Sequence, residues 1–162
     1  MLYRKATIDD LDTLVDLRIE FLAEANNKPY TPEAALRQEI ACYFSKHIPD
    51  DTFVAWLCIE NAEVIATSGI SLYELPPNYS CSNGKTGYVS NMYTKPGFRK
   101  KGIAKALFGK LLEEGKQKGV SKFILHASSD GKGVYKKFGF VMSRDEMHLS
   151  VDWNRSSVDA VF

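Results

Sequence analysis

Arg99-Lys100-Lys101-Gly102-Ile103-Ala104 joins two runs of opposite character. Gly87 to Thr94 has strand composition and ends at Pro96-Gly97. Gly102 to Lys118 is amphipathic, with Ile103, Leu107 and Leu111 on one side. The spacing predicts a strand, a turn and a helix, with Gly119 as the stop. The first amides of a helix have no internal partner and point outward at the positive end of its dipole. That end suits a phosphate, and Gly102 lets a ligand approach the backbone without a Cβ in the way. Three successive cations add attraction for a multiply charged anion. An ordinary solvated turn can have the same composition, so the stretch alone leaves both readings open. It lacks the Gly-Lys-Ser/Thr of a Walker A loop and the three glycines of a dinucleotide turn, which argues against mononucleotide and NAD binding.

Working outward, Leu2 to Ala6 reads as a short strand, and Thr7 as a helix N-cap with Asp10 as its capping-box partner. Leu11, Leu14, Val15, Arg18 and Leu22 share one face of a helix expected from about Ile8 to Ala25. Thr31-Pro32-Glu33 opens a second helix, whose buried side carries Leu36, Ile40 and Phe44. Thr52 to Ile59 and Glu63 to Tyr73 form a hairpin around Glu60-Asn61-Ala62. A polar loop follows, from Leu75 to about Lys85, expected to be mobile and near a site. Beyond the central helix come a strand from Lys122 to Ala127, a short helix capped by Asp130 and closed by Gly139, and a last strand from Met147 to Val151. Residues 152–162 give no signal. The order implies an α/β (α+β) fold, with a central mixed sheet and helices on both faces.

The 162 residues fit one domain, 1–162, better than two. Lys plus Arg number 21 against 20 Asp plus Glu, a net charge of +1, which argues against a dedicated nucleic-acid binder. No apolar run is long enough to span a bilayer, and Met1-Leu2-Tyr3-Arg4-Lys5 lacks a signal-peptide stretch. Cys42, Cys58 and Cys81 are far apart and read as reduced thiols, which places the protein in the cytoplasm. The histidines are scattered without metal-ligand spacing, so no metal is expected.

Two motifs now combine. Arg99, Gly102 and Ala104 resemble the acetyl-CoA signature of the GNAT family of N-acetyltransferases, Arg/Gln-x-x-Gly-x-Gly/Ala. Tyr135-Lys136-Lys137-Phe138-Gly139-Phe140 is similar to the family's closing Tyr-x-x-x-Gly-Phe segment, and Asn91 to Pro96 resembles its strand that runs into a proline. The resemblance spans nearly the whole chain and implies the GNAT fold, with a mostly antiparallel sheet. It also implies acetyl-CoA as co-substrate, and direct transfer of the acetyl group to a primary amine.

The resemblance assigns roles by position. The backbone of Arg99, Lys100, Lys101, Gly102, Ile103 and Ala104 holds the CoA pyrophosphate. The strand Asn91, Met92, Tyr93 and Thr94 carries a bulge beside the acetyl group. Its backbone pairs with the pantetheine arm, and one amide polarises the thioester carbonyl. Many members have Asn seven residues before the motif tyrosine; Ser128 stands there in this chain, with Ser129 or Asp130 as substitutes. Tyr135 is the general acid for the departing thiolate, against a purely structural role as a core aromatic. His126 is a candidate general base, since an imidazole exchanges protons near neutrality. Glu20, Glu24, Glu74 and a relayed water are alternatives. Tyr30, Tyr43, Tyr73, Tyr79 and Tyr88 include candidate walls for the acceptor. A small-molecule amine is the favoured acceptor; a protein-modifying enzyme and a non-catalytic acyl-CoA sensor are the competing readings. Family members are often dimers, which leaves a homodimer open.

Overall fold

Asn61 and Ala62 both take positive φ, 50° and 64°, the twist that a two-residue hairpin turn needs. They join β2 (Phe53–Glu60) to β3 (Glu63–Glu74). In the computed structural model, which describes residues 1–26, 32–128 and 131–143, this hairpin is the middle of a five-stranded sheet. β1 (Leu2–Lys5) flanks β2, β4 (Lys85–Thr94) flanks β3, and β5 (Lys122–Leu125) flanks β4. All pairs are antiparallel except β4 with β5. A parallel pair needs a crossover, and the helix after the basic turn supplies it.

The run Phe53-Val54-Ala55-Trp56-Leu57 is apolar throughout because both sheet faces are covered. Phe53, Ala55 and Leu57 pack with Leu14, Val15 and Phe44, on the side of α1 (Leu11–Ala25) and α2 (Glu33–His47). Val54, Ile70 and Val89 pack with Phe108, Leu111 and Leu112 of α3 (Ile103–Gln117), and against Tyr135 and Phe138 of the α4 region (Lys132–Lys137). Burying each of the larger side chains contributes about 1.5–3 kcal/mol. The mixed, mostly antiparallel sheet with helices on both faces is the architecture the sequence implies.

Several boundaries differ from expectation. The first helix begins as a 3-10 turn at Ile8–Asp10, and the α-helix starts only at Leu11. The Asp10 carboxylate is held by two Arg4 nitrogens at 2.7 Å and by the Thr7 amide at 2.9 Å. Pro32 is the N-cap of α2 rather than its first residue. The loop after β3 is tied down away from the Thr94 end of β4. The Asn78 carboxamide oxygen accepts from the Ser80 and Cys81 amides, and Asn83 Nδ2 donates to the Gly119 carbonyl at 2.8 Å. The expected strand 147–151, the Asp130 cap and residues 152–162 lie outside the described residues.

Candidate active site

β4 carries the first element of the site. Ser90 pairs with Gly69 and Tyr93 with Thr67, so three steps on β4 oppose two on β3. The extra residue is a β-bulge, and Asn91 sits there at φ 53°. Asparagine adopts this region more readily than most residues. Beyond Val89, which pairs with Leu125, β5 no longer follows β4, and the outer edge of Ser90 to Thr94 has no strand partner among the described residues.

The basic turn supplies the second element. Lys100 and Gly102 take positive φ, 61° and 81°. The helical ladder of α3 starts with the Ala106 amide donating to the Gly102 carbonyl at 3.1 Å. The amides of Ile103, Ala104 and Lys105 therefore have no acceptor among the described residues. A Cβ on Gly102 would meet nothing within 4 Å, so the space over these amides is open. Successive N–H groups in left-handed turns and at a helix start form an anion-binding concavity.

The cations of the turn have different fates. Arg99 Nη2 donates to Glu24 at 2.6 Å and its Nε to the Thr94 carbonyl at 2.8 Å, with the guanidinium 5.8 Å from the Tyr93 ring. The hydrogen bond to Glu24 raises Arg99's pKa, and the same bond lowers that of Glu24. Arg99 thus latches the turn to α1 and to the end of β4. Lys101 lies over the Phe98 ring, 5.1 Å from its centroid.

A cleft of about 490 Å³ joins the two elements, within the usual range for small-molecule sites. Met92, Tyr93 and Thr94 line it from β4. Arg99, Lys100, Gly102, Ile103 and Ala104 line it from the turn, and Ser128 and Tyr135 from the far wall. Phe21, Glu24 and Ala25 of α1 complete it; sequence reasoning named Glu24 only as an alternative base and gave Phe21 and Ala25 no role. The Tyr135 ring stacks edge-on against Phe108, with centroids 5.1 Å apart. Burial raises its phenol pKa, which keeps the proton on oxygen. Gly131 lets the ring in, since a Cβ there would stand 2.9 Å from Tyr135 Cε2. The Ser128 hydroxyl oxygen accepts from the Gly131 amide at 3.2 Å.

Three of the expected residues do not line the cleft. The Asn91 side chain is turned toward α1, where its Oδ1 accepts from Arg18 Nη1 at 2.7 Å. Lys101 faces outward. His126 is exposed, with Nδ1 2.8 Å from the Tyr88 hydroxyl. Of the other proton-acceptor candidates, Glu24 is committed to Arg99, and Glu74 lies at the end of β3, in register with Lys85 at the opposite end of β4 from the cleft. Tyr79 is fully exposed, and Trp56 is half-buried. No cysteine lines the cleft.

The comparisons with known proteins agree with this geometry. The closely superposing structures include a predicted acetyltransferase from Clostridium acetobutylicum with acetyl-CoA. It is 34% identical, with 92% of this chain and 95% of that chain covered and a TM-score of 0.86. A GCN5-related N-acetyltransferase from Ralstonia eutropha JMP134 is 26% identical, covering 93% and 97% at a TM-score of 0.84. Among curated proteins, glucosamine 6-phosphate N-acetyltransferase of Trypanosoma brucei brucei is 29% identical over 77 residues, or 48% of this chain. That alignment spans 52% of the trypanosomal protein, about half its length. The model of the acetyltransferase (GNAT) family matches residues 13–140, a span that takes in every residue lining the cleft. The chain belongs to the acetyltransferase (GNAT) family.

Proposed function

We propose that the chain transfers the acetyl group of acetyl-CoA to the primary amine of a small molecule, with both reactants held in one complex. The observation that carries this reading is the convergence of unpartnered amides at the start of α3 with the protonated phenol of Tyr135 on one cleft. The site fits acetyl-CoA, because the open Gly102 turn offers amides to a diphosphate and the unpaired β4 edge offers a strand to the pantetheine arm. The trypanosomal relative, named for a small amine, supports a small-molecule acceptor.

When bound, acetyl-CoA supplies a thioester: the amine nitrogen bonds its carbonyl carbon, the C–S bond breaks, and the electron pair leaves on sulfur. The amides of Gly102 to Lys105 fix the diphosphate, and Lys100 adds charge at the same end. Arg99 positions the turn through Glu24 and Thr94. A backbone amide of the Asn91–Thr94 segment is fixed before reaction and can polarise the carbonyl without reorganisation. The Ser128 hydroxyl can still donate its proton to the pantetheine arm while its oxygen holds Gly131. Tyr135 Oη, which makes no hydrogen bond to a described residue, holds a proton for the departing sulfur. On the α1 side of the sheet, the Tyr88–His126 pair is the proton acceptor we assign to the ammonium. Side-by-side binding supplies much of the rate enhancement.

Tyr135→Phe tests the assignment. Loss of a general acid costs about 10²-fold or more in kcat, while CoA affinity by calorimetry stays unchanged. Wild-type kcat in the variant would remove Tyr135 from the reaction. CoA release measured across an amine panel separates an enzyme from a sensor, and acetylation of lysate proteins marks a protein-modifying enzyme.

A further inference from the structure

Four arginines lie among the described residues, and three of them meet carboxylates: Arg4 with Asp10, Arg37 with Asp16 and Glu33, and Arg99 with Glu24. Arg18 does not. It projects from α1 toward the sheet, half-buried, and its guanidinium stands 5.6 Å from the Phe21 ring centroid. Its one hydrogen bond to a described residue is to a neutral acceptor, Asn91 Oδ1. Burial lowers its pKa, and the titratable groups that act on it are the phenols of Tyr88 and Tyr43. A guanidinium has five N–H donors, and buried charges are normally paired.

A second group beside it has the same need. Asn91 is only 3% exposed, and its Nδ2 has no hydrogen-bond partner among the described residues. The carboxamide is oriented by Arg18, which occupies its oxygen, so the amide N–H donors and the spare guanidinium donors belong to one cluster. Tyr43 and Tyr88 border it, their hydroxyls already engaged by Ser71 Oγ and His126 Nδ1 at 2.8 Å each. The cluster is rich in donors and, among the described residues, has no carboxylate. It also sits at the β4 bulge, one residue from Met92, where the cofactor cleft begins.

We propose that Arg18, with Asn91, anchors an anionic oxygen group on the acceptor, so that the preferred substrate is a small amine that also bears a carboxylate or a phosphate. This rests on the acetyl-transfer reading above and adds to it the class of acceptor. The anion satisfies donors that the fold leaves empty, and its tether directs the amine to the bulge. Arg18 is then a specificity residue, and its loss acts on KM for the acceptor more than on kcat.

Matched amine pairs test this: β-alanine against β-alaninamide, and phosphoethanolamine against ethanolamine, with acetyl-CoA and a thiol readout of CoA release. Wild-type protein is expected to prefer the anionic member by at least 10-fold in kcat/KM, and the better of the two pairs tells carboxylate from phosphate. Arg18→Gln should abolish the preference by raising KM, with CoA affinity by calorimetry unchanged. Arg18→Lys, which keeps charge but loses the fork, should retain part of it. Circular dichroism melts establish that each variant is folded, and Arg18→Lys carries the test should Arg18→Gln not fold. Equal or better turnover of β-alaninamide and ethanolamine would overturn the proposal, as would a preference that survives in Arg18→Gln. Should no amine be acetylated while CoA still binds, the transfer reading fails. The anion site is then judged by NMR: acetate or inorganic phosphate must shift the Arg18 Nε–H resonance of the CoA complex, and no shift overturns the site.

Discussion

Substituting Gly102 separates what the turn does for the fold from what it does for the ligand. Gly102 sits at φ 81°, and an added Cβ meets nothing within 4 Å. The cost inside the protein is therefore backbone strain alone, about 1–2 kcal/mol for a left-handed residue with a side chain. In a chain of this length each ~1 kcal/mol lowers Tm by about 2–4 °C. Gly102→Ala and Gly102→Glu carry the same strain. The glutamate carboxylate also lies beside unpartnered amides at a positive helix end, which returns about 0.3–1 kcal/mol. Gly102→Glu should thus melt at or above Gly102→Ala. Affinity runs the other way. Two unit charges ~6 Å apart at an effective dielectric of ~20 repel by about 3 kcal/mol. Halving this for solvent exposure leaves about 1.5 kcal/mol per phosphate charge, or roughly 100-fold in Kd for a diphosphate. Calorimetric titration with CoA, run beside thermal melts of the same samples, reads both quantities. Gly102→Glu binding CoA within twofold of the wild type would refute the placement of the diphosphate on this turn.

Two predictions concern stability. Arg4 hydrogen bonds hold the Asp10 carboxyl below its ordinary pKa. Asp10→Asn should cost about 1–2 kcal/mol near neutral pH, discounted because the Arg4 side chain is 40% exposed. Because the folded-state pKa is depressed, this contribution is complete above the ordinary Asp value of about 3.9 and is lost as pH falls through the folded value. The Tm gap between wild type and variant should therefore narrow below about pH 4, and a constant gap would contradict the ion pair. Gly115 lies in the last turn of α3, where alanine normally adds up to about 1 kcal/mol of helix propensity. Here a Cβ would stand 2.6 Å from Phe123 Cε1, so Gly115→Ala should destabilise by about 1–2 kcal/mol net with CoA affinity intact. A higher Tm would show that the ring yields freely.

The elements that hold the cofactor face are local in sequence, and that is why they could be read. Gly102 marks its own left-handed turn, Gly119 stops the helix it begins, and Tyr135 keeps its distance to Gly139-Phe140. What could not be read depends on pairs far apart in the chain. Glu24 looks like a surface carboxylate until Arg99, 75 residues on, is seen to take it. Arg18 looks like a polar interruption on an apolar helix face until Asn91, 73 residues on, is seen to hold it. The loop after Tyr73 has the composition of a mobile segment, yet Asn83 ties it to Gly119, a contact that exists only once α3 has crossed the sheet.

The bulge is the case where a sound local rule gives the wrong face. Val89, Asn91 and Tyr93 are all buried and alternate with less buried residues, which for a regular strand puts them on one side. They are on two. Val89 packs with Phe108 and Leu111 of α3, whereas Asn91 meets Arg18 of α1 and Tyr93 meets the ring of Phe21 on the same helix. The extra residue at Asn91 shifts the pleat by one, so that Met92 returns to the α3 side while its neighbours turn to α1. Because both sheet faces are covered, burial alone carries no sign of the switch. The only local cue is an asparagine, the residue type that accepts a positive φ, in a run otherwise suited to a strand. The consequence is chemical as well as geometric. A regular strand would turn Asn91 toward α3 and leave Arg18 without its hydrogen bond to Asn91, and the donor cluster would not form beside the cofactor cleft.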